Sequence, residues 1–224
     1  MGYEMKKLNQ QILNFEYEQN FTDHDFYVSK SNKYSFKLLN SWPKWEKNFV
    51  NLIGENFSGK THLINIFQQN FKGIKISGSK ITNDFLKKVK INENIIIEDL
   101  SENVDENLLF TLINIIEQDN KYLLVTSTKP IVEFKFTLRD LNSRSKNFLL
   151  SAIEKPEDDL MYALILKNLS DRQISIDKKL IDFIIKRISR SYGKISDFIY
   201  KIDEISLKRK KPIDFKIIKE ALGE

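Results

Sequence analysis

Gly54, Glu55, Asn56, Phe57, Ser58, Gly59, Lys60 and Thr61 are spaced as GxxxxGK[ST]. A loop of this kind turns backbone N–H groups toward phosphate oxygens, and a helix starting at its end adds the positive pole of its dipole. In that arrangement Lys60 reaches the outer phosphates and the Thr61 hydroxyl holds Mg²⁺. A second pair of chemically useful residues follows later. Ile95-Ile96-Ile97 runs into Glu98 and Asp99, as nucleotide hydrolysis requires: one carboxylate helps hold Mg²⁺ and its neighbour polarises the attacking water. The order is unusual, with Glu98 where aspartate is common and Asp99 where glutamate is common. Each carboxylate is one methylene away from the expected reach, which favours nucleotide binding over turnover.

These groups need a strand before the loop and a helix after it. Phe49-Val50-Asn51-Leu52-Ile53 reads as the strand, and His62 to Phe67 as the body of the helix. A plain glycine turn with a surface lysine would leave both flanking elements unexplained. His62 is expected behind the loop. Further strands are expected at Ile74-Lys75-Ile76, Asn94 to Ile97, Tyr122 to Thr126 and Phe148-Leu149-Leu150. Asp105 to Gln118 reads as a helix, with Leu108, Leu109, Leu112, Ile113 and Ile116 on one face. Alternating strands and helices imply an α/β fold with a parallel sheet covered on both sides.

After Glu154 the pattern becomes helical. Pro156 suits a first helical turn, and Glu157, Asp158 and Asp159 suit its positive end. Apolar residues at Leu180, Ile181, Ile184, Ile185 and Ile188, and at Ile195, Phe198, Ile199, Ile202 and Ile205, keep helical spacing. A last helix is expected from Asp214 to Leu222, stopped by Gly223. The chain therefore divides into a polar segment 1–20, an α/β unit 21–155 and an all-helical lid 156–224.

With no cysteine, disulfides, thiol catalysis and Cys-based zinc sites are excluded. A reducing, cytoplasmic setting is compatible with this. No apolar run is long enough to cross a bilayer and no N-terminal leader is evident, so no membrane role is expected. A net charge of +5 among so many Lys, Ile and Asn is weak support for nucleic acid as a partner. His24 and His62 make a poor metal site.

Gly59-Lys60-Thr61-His62-Leu63 resembles the DnaA branch of the AAA+ ATPases. Phe26 to Asn32 resembles the lead-in to that branch's adenine-side helix. Trp42-Pro43-Lys44-Trp45 resembles the WPxW before the phosphate loop in short DnaA-like proteins of alphaproteobacteria. Thr126 to Pro130 is similar to the sensor 1 strand end, and Leu141-Asn142-Ser143-Arg144 to the segment with the arginine finger. The resemblance implies an AAA+ phosphate-loop core that binds ADP or ATP with Mg²⁺. It puts Thr128 at the sensor 1 acid, Gly193 at the sensor 2 arginine with Lys194 as the available substitute, and Arg144 as the finger, with Arg139 as its rival. Ending after the lid, without a helix-turn-helix, is the layout of the Hda type of DnaA-related regulator. Gln10, Leu13 and Phe15 fit QxxLxF, a pattern that docks on the DNA sliding clamp.

The resemblance implies a regulator bound to the sliding clamp that stimulates hydrolysis of DnaA-bound ATP. It would meet DNA only indirectly, and a homo-oligomer is conceivable. A different reading is an autonomous AAA+ ATPase acting on DNA, like a helicase loader, with measurable turnover and salt-sensitive DNA affinity. A small-molecule kinase fits poorly, because no arginine cluster for a substrate phosphate stands out.

Overall fold

The structure is a computed structural model that describes residues 26–224. Gln10, Leu13, Phe15 and His24 lie outside the described residues.

Five strands build the sheet: β1 (Phe49–Ile53), β2 (Ile74–Ser77), β3 (Asn94–Glu98), β4 (Tyr122–Ser127) and β5 (Leu149–Ala152). All pairings are parallel, in the order β2-β3-β4-β1-β5. Helices α1 (Lys33–Asn40), α2 (Lys60–Asn70), α3 (Asn83–Val89), α4 (Glu106–Gln118) and α5 (Arg139–Arg144) accompany them. The central strands β1, β3 and β4 are mostly apolar because both of their faces are covered, whereas β2 at the edge is only partly buried. Alternation then sorts each side chain. Phe49, Ile95, Ile97, Leu123 and Val125 meet Phe85, Val89, Leu109, Leu112, Ile113 and Ile116 on the α3 and α4 side. Val50, Leu52, Ile96 and Leu124 meet Leu39, Trp45, Leu63, Ile64 and Phe67 on the α1 and α2 side. The two tryptophans of the WPxW stretch pack there too, with the Trp45 ring 5.6 Å from that of Phe67 and the Trp42 ring 4.7 Å from that of Phe71.

Two expected boundaries move. Strand β5 is shifted toward the C-terminus, because its register starts with Leu149 opposite Val50, and Phe148 instead turns into the core 5.2 Å from Phe49. Pro156 is buried ahead of the next helix, not within its first turn, because Glu157 takes the N-cap position.

The C-terminal region is helical: α6 (Asp158–Asp171), α7 (Lys178–Ile185), α8 (Tyr192–Arg209) and α9 (Phe215–Leu222). Met161, Ile165, Leu169, Ile181, Ile184, Ile199, Ile202 and Ile218 form its own core. Three starts are capped by side chains: Asp177 for α7, Ser191 for α8 and Asp214 for α9. Gly223 closes α9 at φ 83°, a left-handed stop that a side chain would disfavour. Leu160 and Tyr192 belong to the α2-side cluster of the α/β unit, so the helical region is seated on the sheet and not tethered loosely to it. No helix among the described residues is long and apolar enough to cross a membrane.

Candidate nucleotide site

The loop after β1 has the shape its spacing requires. Gly54 is needed there, since a Cβ on it would lie 2.4 Å from Ser58 Oγ. Gly59 sits at φ 93° and forms the N-cap of α2. No side chain caps that helix and its first turn holds no acid, so its leading N–H groups point out of the protein framework. Ser58 Oγ is buried without a hydrogen-bond partner beside them. Lys60, almost fully buried, donates to the carbonyls of Gly54 at 2.8 Å and Glu55 at 2.9 Å. Burial pushes its ammonium below the ordinary lysine value, against the pull of Asp99 and Glu55. Uncapped amides, an unpartnered hydroxyl and a desolvated ammonium all gain from a polyphosphate.

Phe57 and Asn56 form the exposed crest of the loop, with Phe57 at φ 66°. Thr61 opens the helix and is exposed. His62 packs edge-on against Phe26, the ring centroids 5.2 Å apart. Phe26 in turn reaches the loop, since a Cβ on Gly59 would lie 3.3 Å from its ring.

Glu98 and Asp99 diverge. Glu98 lies on the α2 side, where its Oε2 is 3.1 Å from Lys75 Nζ. Asp99 turns outward at φ 52°, with its N–H held by Thr126 Oγ1 at 2.9 Å. Among the described residues no group of three or more His, Cys, Asp or Glu side chains could hold a metal ion. The residues present therefore fit a polyphosphate, whereas the Mg²⁺ expected at Thr61 and Glu98 meets a carboxylate already paired.

The remaining expected residues do not converge on the loop, and Arg144 lies at the far end of α4 from it. Thr128 is exposed at the end of β4. Arg144 is half-buried, ion-paired with Glu117 and 5.3 Å above the Phe110 ring, while Arg139 is exposed. Lys194 is exposed in the first turn of α8. At Gly193 a Cβ would come no nearer than 3.8 Å to Ser191 Oγ and 4.0 Å to Phe57, so the position faces the loop yet has no side chain to offer.

This chain has the fold of DnaA domain III. The domain III structure from Thermotoga maritima covers 91% of the chain at a TM-score of 0.74 and 17% identity, with 95% of that domain matched. A DnaA bound to AMPPCP and single-stranded DNA superposes at a TM-score of 0.66 and 16% identity, over 85% of this chain and 68% of that one. In sequence the chain is similar to the chromosomal replication initiator DnaA of Helicobacter hepaticus, 27% identical over 200 residues, 78% of this chain and 43% of that protein. The chain spans about half the length of the curated relatives it matches, at 43%, 47% and 52% of three of them. No family model matches.

Asn51 and Glu106, which shape this DnaA-like site, were not singled out from the sequence, nor was the partner of Glu55. Asn51, fully buried on β1, donates to Val125 O at 3.3 Å and Ser127 Oγ at 2.8 Å, and accepts from Ile131 N at 2.9 Å. It fixes the segment just beyond Thr128. Glu55 reaches the C-terminal helical region, accepting from Ser191 Oγ and Tyr192 N. Glu106 accepts from the N–H groups of Thr137 and Leu138, which hold its carboxyl below the usual range and fasten the start of α5. The one signal available was a polar residue inside an apolar strand, at Asn51.

Proposed function

We propose that the chain is a nucleotide-holding regulator of replication initiation, of the Hda type. It holds ADP or ATP at residues 54–61, docks on the DNA sliding clamp through Gln10, Leu13 and Phe15, and presents Arg144 to ATP bound by DnaA. One observation carries the nucleotide reading: the uncapped start of α2 beside the buried Lys60 ammonium and the unpartnered Ser58 hydroxyl. A DnaA of this fold has been solved with AMPPCP, in keeping with an adenine nucleotide here.

The regulator reading gains support from the weak hydrolytic equipment. Glu98 is paired with Lys75, Thr128 has no charge to contribute, and Gly193 has no side chain. Such a site retains nucleotide better than it turns it over. An arginine supplied in trans can raise a partner's hydrolysis by orders of magnitude, which gives a slow enzyme a useful role.

The test is a hydrolysis assay with DnaA, clamp-loaded DNA and this protein. Faster loss of DnaA-bound ATP is expected, and no stimulation above DnaA alone rejects the regulator. DNA-stimulated turnover by this chain without DnaA points to the autonomous ATPase instead. A flat ADP titration rejects the nucleotide reading itself.

A further inference from the structure

A cation already stands beside the carboxylate expected to hold the divalent metal. Lys75 Nζ lies 3.1 Å from Glu98 Oε2 and donates to Asn65 Oδ1 at 3.2 Å. Asn65 is one helical turn after Thr61, on the same side of α2. Strand β2 pairs with β3 so that Ile76 faces Ile97 and Ser77 faces Glu98. Ile74 and Ile76 pack on the α4 side, which sends Lys75 to the α2 side with Glu98. The ammonium thus bridges Asn65, in the second turn of α2, and Glu98 at the end of β3.

Mg²⁺ demands oxygen ligands in near-octahedral geometry and gives up its water reluctantly. Recruiting it here means stripping Glu98 from Lys75 and setting two cations side by side. The Glu98–Lys75 pair has side-chain exposures of 16% and 31%, so solvent screens that repulsion only in part.

We propose that Lys75 replaces the divalent ion, so that the loop takes the metal-free nucleoside di- or triphosphate. Lys60 and Lys75 then supply the fixed positive charge that Mg²⁺ would otherwise bring. The proposal rests on the nucleotide reading of residues 54–61, and the experiment separates the two.

ADP is titrated calorimetrically into the full chain in excess Mg²⁺ and again in excess EDTA. The wild type is expected to bind no more tightly in Mg²⁺ than in EDTA, and more weakly to the extent that Mg²⁺ ties up free ADP, because the protein supplies the countercharge. Lys75→Met is expected to bind at least about tenfold more tightly with Mg²⁺ than with EDTA, since Glu98 is released as an oxygen ligand. Lys75→Arg, which keeps the charge, should behave as the wild type does. Wild-type binding seen only with Mg²⁺ overturns the proposal and leaves the nucleotide site standing. No binding in either medium overturns both. Metal-independent binding by Lys75→Met removes Lys75 from the role. The wild-type comparison decides the main point even where a variant fails to fold.

Discussion

Glu55 of the phosphate loop and Tyr192 of the lid are joined directly: Glu55 Oε1 accepts the Tyr192 N–H at 2.8 Å, and its Oε2 accepts Ser191 Oγ at 2.9 Å. The first turn of α8 therefore receives its negative charge from the loop that is built to receive phosphate. Buried Tyr192 adds a second tie, donating its hydroxyl to Glu154 O at 3.1 Å. Phosphate bound at the loop would place further negative charge near Glu55 and so act on its contacts with Ser191 and Tyr192. Glu55→Gln should keep one acceptor and lose the charge, lowering stability of the nucleotide-free chain by about 1 kcal/mol. Urea unfolding measures that loss, and faster amide exchange in residues 191–195 should accompany it.

Lys60→Ala removes the main positive charge at the phosphates. ADP affinity should fall by at least about tenfold, a charge-assisted contact being lost. Thermal stabilisation by ADP should shrink in step, because ligand that binds only the folded form raises stability through its occupancy. Calorimetry and melting curves with and without ADP check both, and equal affinity in the variant would contradict the assignment.

The same lysine sets a pH dependence. Burial holds its folded-state pKa below the ordinary value of about 10.4. Between the folded and unfolded values the unfolded chain binds the extra proton, so the nucleotide-free protein gains stability from this group as pH rises through that window. Bound phosphate favours the charged ammonium, so ADP affinity should fall over the same window. Titrations at rising pH, in buffers of different ionisation enthalpy, should show proton uptake on binding. Lys60→Arg should abolish that uptake.

Gly193→Arg tests the empty lid position. Its backbone is not in the left-handed region, and a Cβ meets only ordinary contacts, so the substitution should fold normally. A guanidinium placed opposite Phe57 should tighten ATP binding and raise the chain's own turnover above the wild-type level. Unchanged affinity would mean that α8 does not face the phosphates when nucleotide is bound.

Arg144→Ala should abolish stimulation of DnaA-bound ATP hydrolysis while leaving ADP binding by this chain intact. Its ion pair with Glu117 is partly exposed, so the stability cost should stay within about 1 kcal/mol. Arg139→Ala in parallel distinguishes the rival residue, and a loss confined to Arg139→Ala would reassign the finger.

Most of the fold was legible because burial writes itself into the order of residues. Every strand expected from an apolar run is present, and α4 spans Glu106–Gln118 with Asp105 as its cap, close to the stretch read from spacing. Ile188 illustrates a limit: it follows the α7 spacing and packs on the lid core, yet lies beyond the helix that ends at Ile185. The phosphate loop was legible because its glycines and lysine are local. What escaped reading depends on register and on distant partners. That Lys75 faces Glu98 follows only once β2 is aligned beside β3, and Glu55 meets Tyr192 across 137 positions of chain. No local pattern encodes either contact.

Asn51, Thr126 and Ser127 cross-brace the ends of β1, β3 and β4, with Gly54 N donating to Ser127 O at 3.2 Å and Leu100 N to Thr126 O at 2.8 Å. The floor beneath the phosphates is thereby a rigid platform that resists deformation from three strands at once. Whatever movement accompanies loading and release must be taken up elsewhere, yet the stretch 154–157 between β5 and α6 is itself held, with Glu154 N donating to Ser31 O at 2.9 Å and Lys30 N donating to Glu157 Oε1 at 2.8 Å. The helical region can shift against that base only by giving up these ties together with those of Glu55 to Ser191 and Tyr192, so the phosphate loop and the start of α8 stand or move as one unit.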